Sequence, residues 1–497
     1  MKINEIIQQF VSKAYEVGLI HSLDQQYMRN RIASLLQVTD VSLTMNLAHS
    51  KQSLVDLLEK MIEYAISKNV IRSYPDEIEQ LESEIMNVVT PLPSVLNRQF
   101  YEAKTAKEAT DTFYRISCLT NNVREKDVAK NIVFSGDTPY GEITITINLS
   151  KPEKTKEEIL RSLELPATNY PICRLCVENE GYHGRSDWPA RSSHRTISLS
   201  LLNEAWRFHY SPYAYYNEHS IFLSEKHEPM CINEDTMKRL LEIVELLPHY
   251  FVGSNAGLPI VGGSILGHNH YQGGRYTFPV NRAKVLHTGK CKQHPTVTLE
   301  VLHWAMSTIR LRSASKEELI LAGQEIMNQW DCYCNPECNI YSHTDSTPHN
   351  AITLIARRSG QEYEMDFILR NNRTTKEFPD GIFHPHQDVQ HIKKENIGLI
   401  EAMGLAILPP RLEKELAAVR QFVIGEVGIE AVESYHREWA EQLKEQWYQT
   451  NEPVQQLLEQ AVVKKFQRVL EDASVFKQDT LGQRSFKQFA EQLAIIE

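Results

Sequence analysis

The chain has 497 residues, a formal charge of −11, 42% hydrophobic and 24% charged residues, and 8 cysteines. That length exceeds one ordinary domain, and the composition is that of a soluble globular protein. No run is apolar for the length of a bilayer span, and the acidic balance argues against general binding to a nucleic-acid backbone. Cysteines without a framework spacing, and a start (Met1–Glu5) lacking the apolar core of a signal peptide, predict a cytoplasmic protein.

Residues 1–150 read as a helix-rich N-terminal region without a catalytic constellation. Leu54, Leu57, Leu58, Met61, Ile62 and Ala65 recur at helical spacing and predict one amphipathic helix. Gly141–Leu149 then alternates polar and apolar residues, as a half-buried strand does, and Lys151-Pro152 breaks it.

Residues 151–330 form a first half dense in histidine, aromatic residues and turn signals. Cys173-Arg174-Leu175-Cys176 supplies half of a tetrahedral zinc site, because two thiolates on one tight turn reach one ion. Redox use and plain burial compete with that reading. His227, just after the strand-like Ser220–Leu223, and His268 are the candidates to complete the set. Such a zinc would be structural, with four protein ligands and no open position. Asn233 or Asp235 caps a predicted helix that carries Leu240, Leu241, Val244 and Leu247 and ends at Pro248. A strand over Tyr250–Ser254 follows.

Next comes the glycine loop Val261-Gly262-Gly263-Ser264, whose backbone N–H groups can approach an anion closely. His268-Asn269-His270-Tyr271-Gln272 lies just beyond it. On an extended strand His268, His270 and Gln272 share one face. Two imidazoles and a neutral amide beside phosphate-sized space suit a histidine nucleophile. A core strand with two satisfied histidines is the competing reading.

Residues 331–412 form a second half. His384-Pro385-His386 follows the strand-like Met365–Arg370 and precedes a helical stretch, Glu395–Met403, that stops before Pro409-Pro410. A His-x-His in each half reads as a divergent duplication of one unit. Arg357, Arg358, Arg370 and Arg373 are candidates for substrate phosphates, with surface solvation the expected role of any one. Cys332, Cys334 and Cys338 cluster near His343 at a spacing irregular for a metal. Residues 413–497 are a charged helical tail, with Trp439 and Trp447 packing it onto the body.

Cys-x-x-Cys, a histidine, His-x-His-x-Gln and a later His-x-His, in that order, resemble the hexose-1-phosphate uridylyltransferases of the histidine-triad superfamily, and among them the second bacterial family. Tyr216–His219, His249–Asn255 and His391–Ile400 are similar to that family's own stretches. The resemblance spans residues 130–412 and implies an α+β fold. Its core would be a duplicated, histidine-triad-like antiparallel sheet, with a helical N-terminal region and a helical C-terminal tail.

The implied activity is exchange of UMP between UDP-glucose and galactose 1-phosphate through a uridylyl-histidine. By the resemblance His270 is the nucleophile, Gln272 donates to a phosphate oxygen, and Ser264 with the amides near Gly262 and Gly263 holds the same phosphate. Asn255 resembles the nucleoside-contacting asparagine, and His384 and His386 contact substrate phosphate or pack. The family's later histidines, here with His349, can hold a second metal. The carboxylate that site uses has no counterpart in Tyr276–Arg282, which counts against that metal. A homodimer with composite sites is also implied. The alternative within the superfamily is a dinucleotide polyphosphate hydrolase or phosphorylase. Those enzymes usually carry a histidine where Gln272 stands.

Overall fold

A computed structural model describes residues 2–39, 51–150, 168–263, 265–450 and 452–496. The fold is mixed α+β with a large antiparallel sheet and helices at both ends of the chain. Chain contacts divide it into two units. One is Met1–Asp127, Lys151–Ala214 and Glu218–His227; the other is Val128–Ser150, Tyr215–Asn217 and Glu228–Glu497. Among the described residues no helix is long and apolar enough to cross a membrane.

In the first unit the N-terminal helices bury single apolar stripes. The helix Leu54–Ser67 buries Leu54, Leu57, Leu58, Met61, Ile62 and Ala65, the six positions its periodicity predicts, and Ser53 caps it. Helices Pro93–Glu102 and Ala106–Leu119 set Phe100 and Phe113 against Phe208. Phe208 lies on the middle one of three antiparallel strands, Ile197–Leu201, Glu204–Tyr210 and Ser220–Ser224, and stacks on Phe222.

In the second unit eight strands pair antiparallel throughout. Their order is Ala494–Ile496, Lys284–Cys291, Thr298–His303, Thr308–Ser313, Glu362–Asn371, Asn350–Ser359, Phe251–Ser254, His270–Gly274. Helices Glu234–Leu246 and Lys316–Cys332 cover one face, where Gly323 leaves room for Met237 and Phe367. The first of these helices is capped by Asn233, whose side chain accepts from Thr236 N. On the other face Phe251, Ile355, Ile368, Ile397 and Leu399 share a core.

A smaller sheet joins Ile132–Thr138, Gly141–Ile147 and, in parallel, Leu405–Leu408. Trp439 is buried in the same core and Trp447 packs against it, so both tryptophans tie down the tail. Two expectations change. The predicted helix over Glu395–Met403 contracts to Leu399–Ala402. His384-Pro385-His386 sits outside any strand, so it does not occupy a place equivalent to His270 on its strand.

Candidate active site

Antiparallel partners point to the same face of a sheet. Gln272 pairs with Gly253, Gly253 with Ile355, Ile355 with Asp366 and Asp366 with Arg310, so these five form one transverse row. His270, two residues before Gln272, and Arg370, four after Asp366, project from that face as well. The strand begins at His270; His268 precedes it in a bend. The expected three-residue row is therefore reduced to His270 and Gln272.

His268 contributes through its backbone instead. His270 Nδ1 lies 2.8 Å from the His268 carbonyl oxygen, which can only accept, so Nδ1 carries the proton and the Nε2 lone pair remains available. Burial, against the favourable carbonyl contact, lowers the His270 pKa to about 4, and the ring is neutral at physiological pH. The approach to the motif is held by backbone bonds from Met230 N to Leu266 O and from Asn269 N to Glu228 O.

The glycines of the preceding loop serve its own closure. A Cβ on Gly262 would stand 2.4 Å from Ala256 O, and one on Gly263 would stand 2.8 Å from Asn255 Nδ2. Ser264 lies outside the described residues. Asn255 accepts from Leu399 N at 2.8 Å through Oδ1, so this part of its amide fastens the segment around Leu399 to the sheet.

Cys173 and Cys176 sit on a tight turn with Cys176 N bonded to Cys173 O and the two sulfurs 3.4 Å apart. Cys176 Sγ is 3.1 Å from His227 Nδ1. One ligand atom from each of Cys173, Cys176, His227 and His268 lies within 4.8 Å of the others. Zn–S and Zn–N bonds of about 2.3 and 2.0 Å in a tetrahedron place ligands roughly 3.4–3.8 Å apart, close to these separations. Burial and the neighbouring Cys173 push the Cys176 thiol up to about 12. Two sulfurs so close favour a cation that keeps them as thiolates. The S₂N₂ donor set fits zinc.

The remaining candidates make contacts of their own, while Arg370 Nε and Nη1 are buried with no partner among the described residues. His384 Nε2 is 3.3 Å from Asn396 Oδ1. His386 has Nε2 at 3.0 Å from Ile382 O and Nδ1 at 3.4 Å from Asp472 Oδ1. His349 bonds Asn372 and Thr344 through its two ring nitrogens. Arg358 and Arg373 keep surface contacts, but Arg357 and Arg370 correct the expectation of solvation. Arg357 binds Glu364 and Asp366, and Arg370 is 1% exposed with Nη2 donating to Ile397 O at 2.9 Å. The hairpin spacing around Gly360-Gln361, which sets Arg357 opposite Glu364, is the signal that could have revealed this pairing. Cys332 and Cys334 are exposed, and Cys334 Sγ contacts Ser342 Oγ at 3.2 Å.

The chain is similar to known proteins over nearly its whole length. Residues 18–229 match the galactose-1-phosphate uridyl transferase N-terminal domain, and residues 243–441 match its C-terminal domain. Galactose-1-phosphate uridylyltransferase of Streptococcus mutans is 45% identical over 493 residues, 99% of either chain. The Enterococcus faecalis protein of that name is 46% identical over 487 residues, 97% of either chain. Yeast Ap4A phosphorylase Apa2 aligns over 63% of this chain and 86% of its own, but its TM-score of 0.33 at 11% identity is too low to bear on the fold. With both domain profiles matched and these identities over nearly the whole chain, this protein belongs to the galactose-1-phosphate uridyl transferase family.

Proposed function

We propose that the chain is a uridylyltransferase that passes UMP from UDP-glucose to galactose 1-phosphate by way of His270 Nε2, a step of galactose metabolism. In the first half-reaction Nε2 attacks the α-phosphorus, a P–N bond forms, and the P–O bond to glucose 1-phosphate breaks. In the second, a phosphate oxygen of galactose 1-phosphate attacks that phosphorus, the P–N bond breaks, and UDP-galactose leaves. Splitting the transfer lets two similar sugar phosphates use one site in turn.

The observation that supports this reading above the others is the 2.8 Å contact from His270 Nδ1 to the His268 carbonyl. It presets one tautomer and leaves Nε2 as the nucleophile. Gln272, on the same face, would donate an amide hydrogen to a non-bridging oxygen and, being neutral, would not activate water as a base. Zinc held by Cys173, Cys176, His227 and His268 would have a structural role, fixing the backbone whose carbonyl orients His270. The amides near Gly262 and Gly263 would face the same phosphate. The homodimer of the family would complete the site with partner residues.

The test is incubation with UDP-glucose radiolabelled in the uracil. An acid-labile protein adduct should form, be absent in His270→Ala, and be discharged as UDP-galactose by galactose 1-phosphate. Absence of an adduct in the native enzyme, or discharge only as UMP, would refute the transfer reading.

A further inference from the structure

The second unit contains a cavity of about 1250 Å³ bordered by His386, His391, Arg411, Tyr435, Trp439 and Lys465. None of the residues assigned to uridylyl transfer lies here except His386, whose two ring nitrogens are already engaged. The cavity exceeds the roughly 300–1,000 Å³ of an ordinary small-molecule pocket, so it has room for more than one sugar ring.

One wall carries a relay of three titratable side chains. Glu415 Oε2 accepts from Arg411 Nη1 at 2.5 Å and from His436 Nε2 at 3.0 Å, and Oε1 accepts from the Tyr435 hydroxyl at 2.7 Å. Burial raises the Glu415 pKa, but these three donors outweigh it and keep the carboxylate ionised. His436, fully buried and with its pKa lowered chiefly by burial, is neutral. Its single proton must then be on Nε2, facing the carboxylate, which leaves Nδ1 as an acceptor.

His391 Nδ1 is 2.7 Å from His436 Nδ1, so His391 is the donor of that bond. Its own Nε2 is left as a lone pair, with no partner among the described residues and not sealed from solvent. The ring is held further. It stands edge-on to Trp439 with centroids 5.2 Å apart, and its carbonyl accepts from Arg411 Nη2 at 3.2 Å. Burial, His436, Lys465 and Arg411 lower its pKa to about 3, so the lone pair persists across the physiological range.

We propose that this cavity is a second ligand site, distinct from the transfer site, that binds an uncharged pyranose sugar through a hydroxyl donated to His391 Nε2. A fixed acceptor selects an O–H donor. Glu377, Asp380, Asp388 and Glu438 also border the cavity, against only Arg411 and Lys465. Arg411 is committed to Glu415, and Lys465 donates to the Asp388 carbonyl at 2.9 Å. The surplus of carboxylates disfavours a dianionic phosphate and supplies acceptors for further hydroxyls. Tyr435, 51% exposed at the rim, offers a ring against which the C–H face of a pyranose can rest.

Saturation-transfer difference NMR with lactose tests this on the full-length protein. Transfer to the sugar C–H protons is expected in the native protein and equally in His270→Ala. It should fall at least tenfold in His391→Phe, and clearly in Tyr435→Leu, which reads the same site should the first variant fail to fold. Uridylyl exchange should be retained in His391→Phe. Unchanged transfer in both variants, transfer that requires His270, or stronger binding of glucose 6-phosphate than of lactose at this site would each overturn the proposal.

Discussion

Asp366→Asn tests the sheet that carries His270 and Gln272. Asp366 is fully buried in the same transverse row as Gln272. It accepts from Arg310 Nε and Nη2 at 2.6 and 3.0 Å, and from Arg357 Nη1 and Nη2 at 2.9 and 3.2 Å. Burial alone would raise its pKa; Arg357 and Arg310 outweigh burial and hold it down at about 2. Asparagine there would leave two buried guanidinium groups short of their counter-charge, a loss of about 3–5 kcal/mol. The carboxyl is depressed in the folded state, so its contribution is present above the unfolded pKa near 3.9 and disappears as pH falls through about 2. That contribution amounts to about 2.6 kcal/mol at neutral pH, of which about 1.2 is gone by pH 3. Urea titration at pH 7 and at pH 3 should show a wide gap between native and variant that narrows by roughly that amount. A gap below about 1 kcal/mol at pH 7, or one unchanged at pH 3, would refute a charge-based role for Asp366.

Four further outcomes follow from the site. Gln272→Ala should lower kcat about 10²- to 10³-fold while still forming the His270 adduct, as single-turnover labelling would show. Cys173→Ser should abolish stoichiometric zinc in metal analysis of the purified protein and lower its thermal midpoint. Gly253→Ala places a Cβ 2.7 Å from Leu354 O and 2.9 Å from Leu399 Cδ1, and should cost about 1–3 kcal/mol in denaturant unfolding together with part of kcat. His268→Ala should lose zinc yet keep some His270 labelling, because the carbonyl that His270 Nδ1 uses remains in the chain.

The features legible in the sequence were those decided within a few residues. The stripe from Leu54 to Ala65 needs only the 3.6-residue period, and the Asn233 cap needs only Thr236 three positions on. Cys173 and Cys176 were readable because their turn is local, and His227 and His268 were the candidates to complete the set because two thiolates leave two nitrogen or sulfur ligands to find. Burial of charge was not legible. Arg357 and Arg370 look like surface residues until the hairpin sets Arg357 against Glu364 and Asp366, and the segment at Ile397 closes over Arg370. The His391–His436–Glu415 relay joins positions 45 and 21 residues apart, for which no periodicity gives a sign. The role of His268 was half legible: the spacing to His270 marks the pair, but alternation on a strand assigns its ring to the wrong row.

That difference explains what the spacing His-x-His achieves here. Were His268 and His270 on one continuous strand, their rings would stand side by side and compete for the same face. The bend before His270 instead turns the His268 carbonyl toward His270 Nδ1 and frees the His268 ring to join Cys173, Cys176 and His227. A side-chain carboxylate at that nitrogen would also fix the tautomer, but it would favour the imidazolium and so leave Nε2 protonated in more of the molecules. A neutral carbonyl fixes the proton without adding charge. In the proposed transfer, a buried histidine attacking phosphorus would be best served by such a partner, and a residue whose ring can be held at a metal would be well suited to supply it.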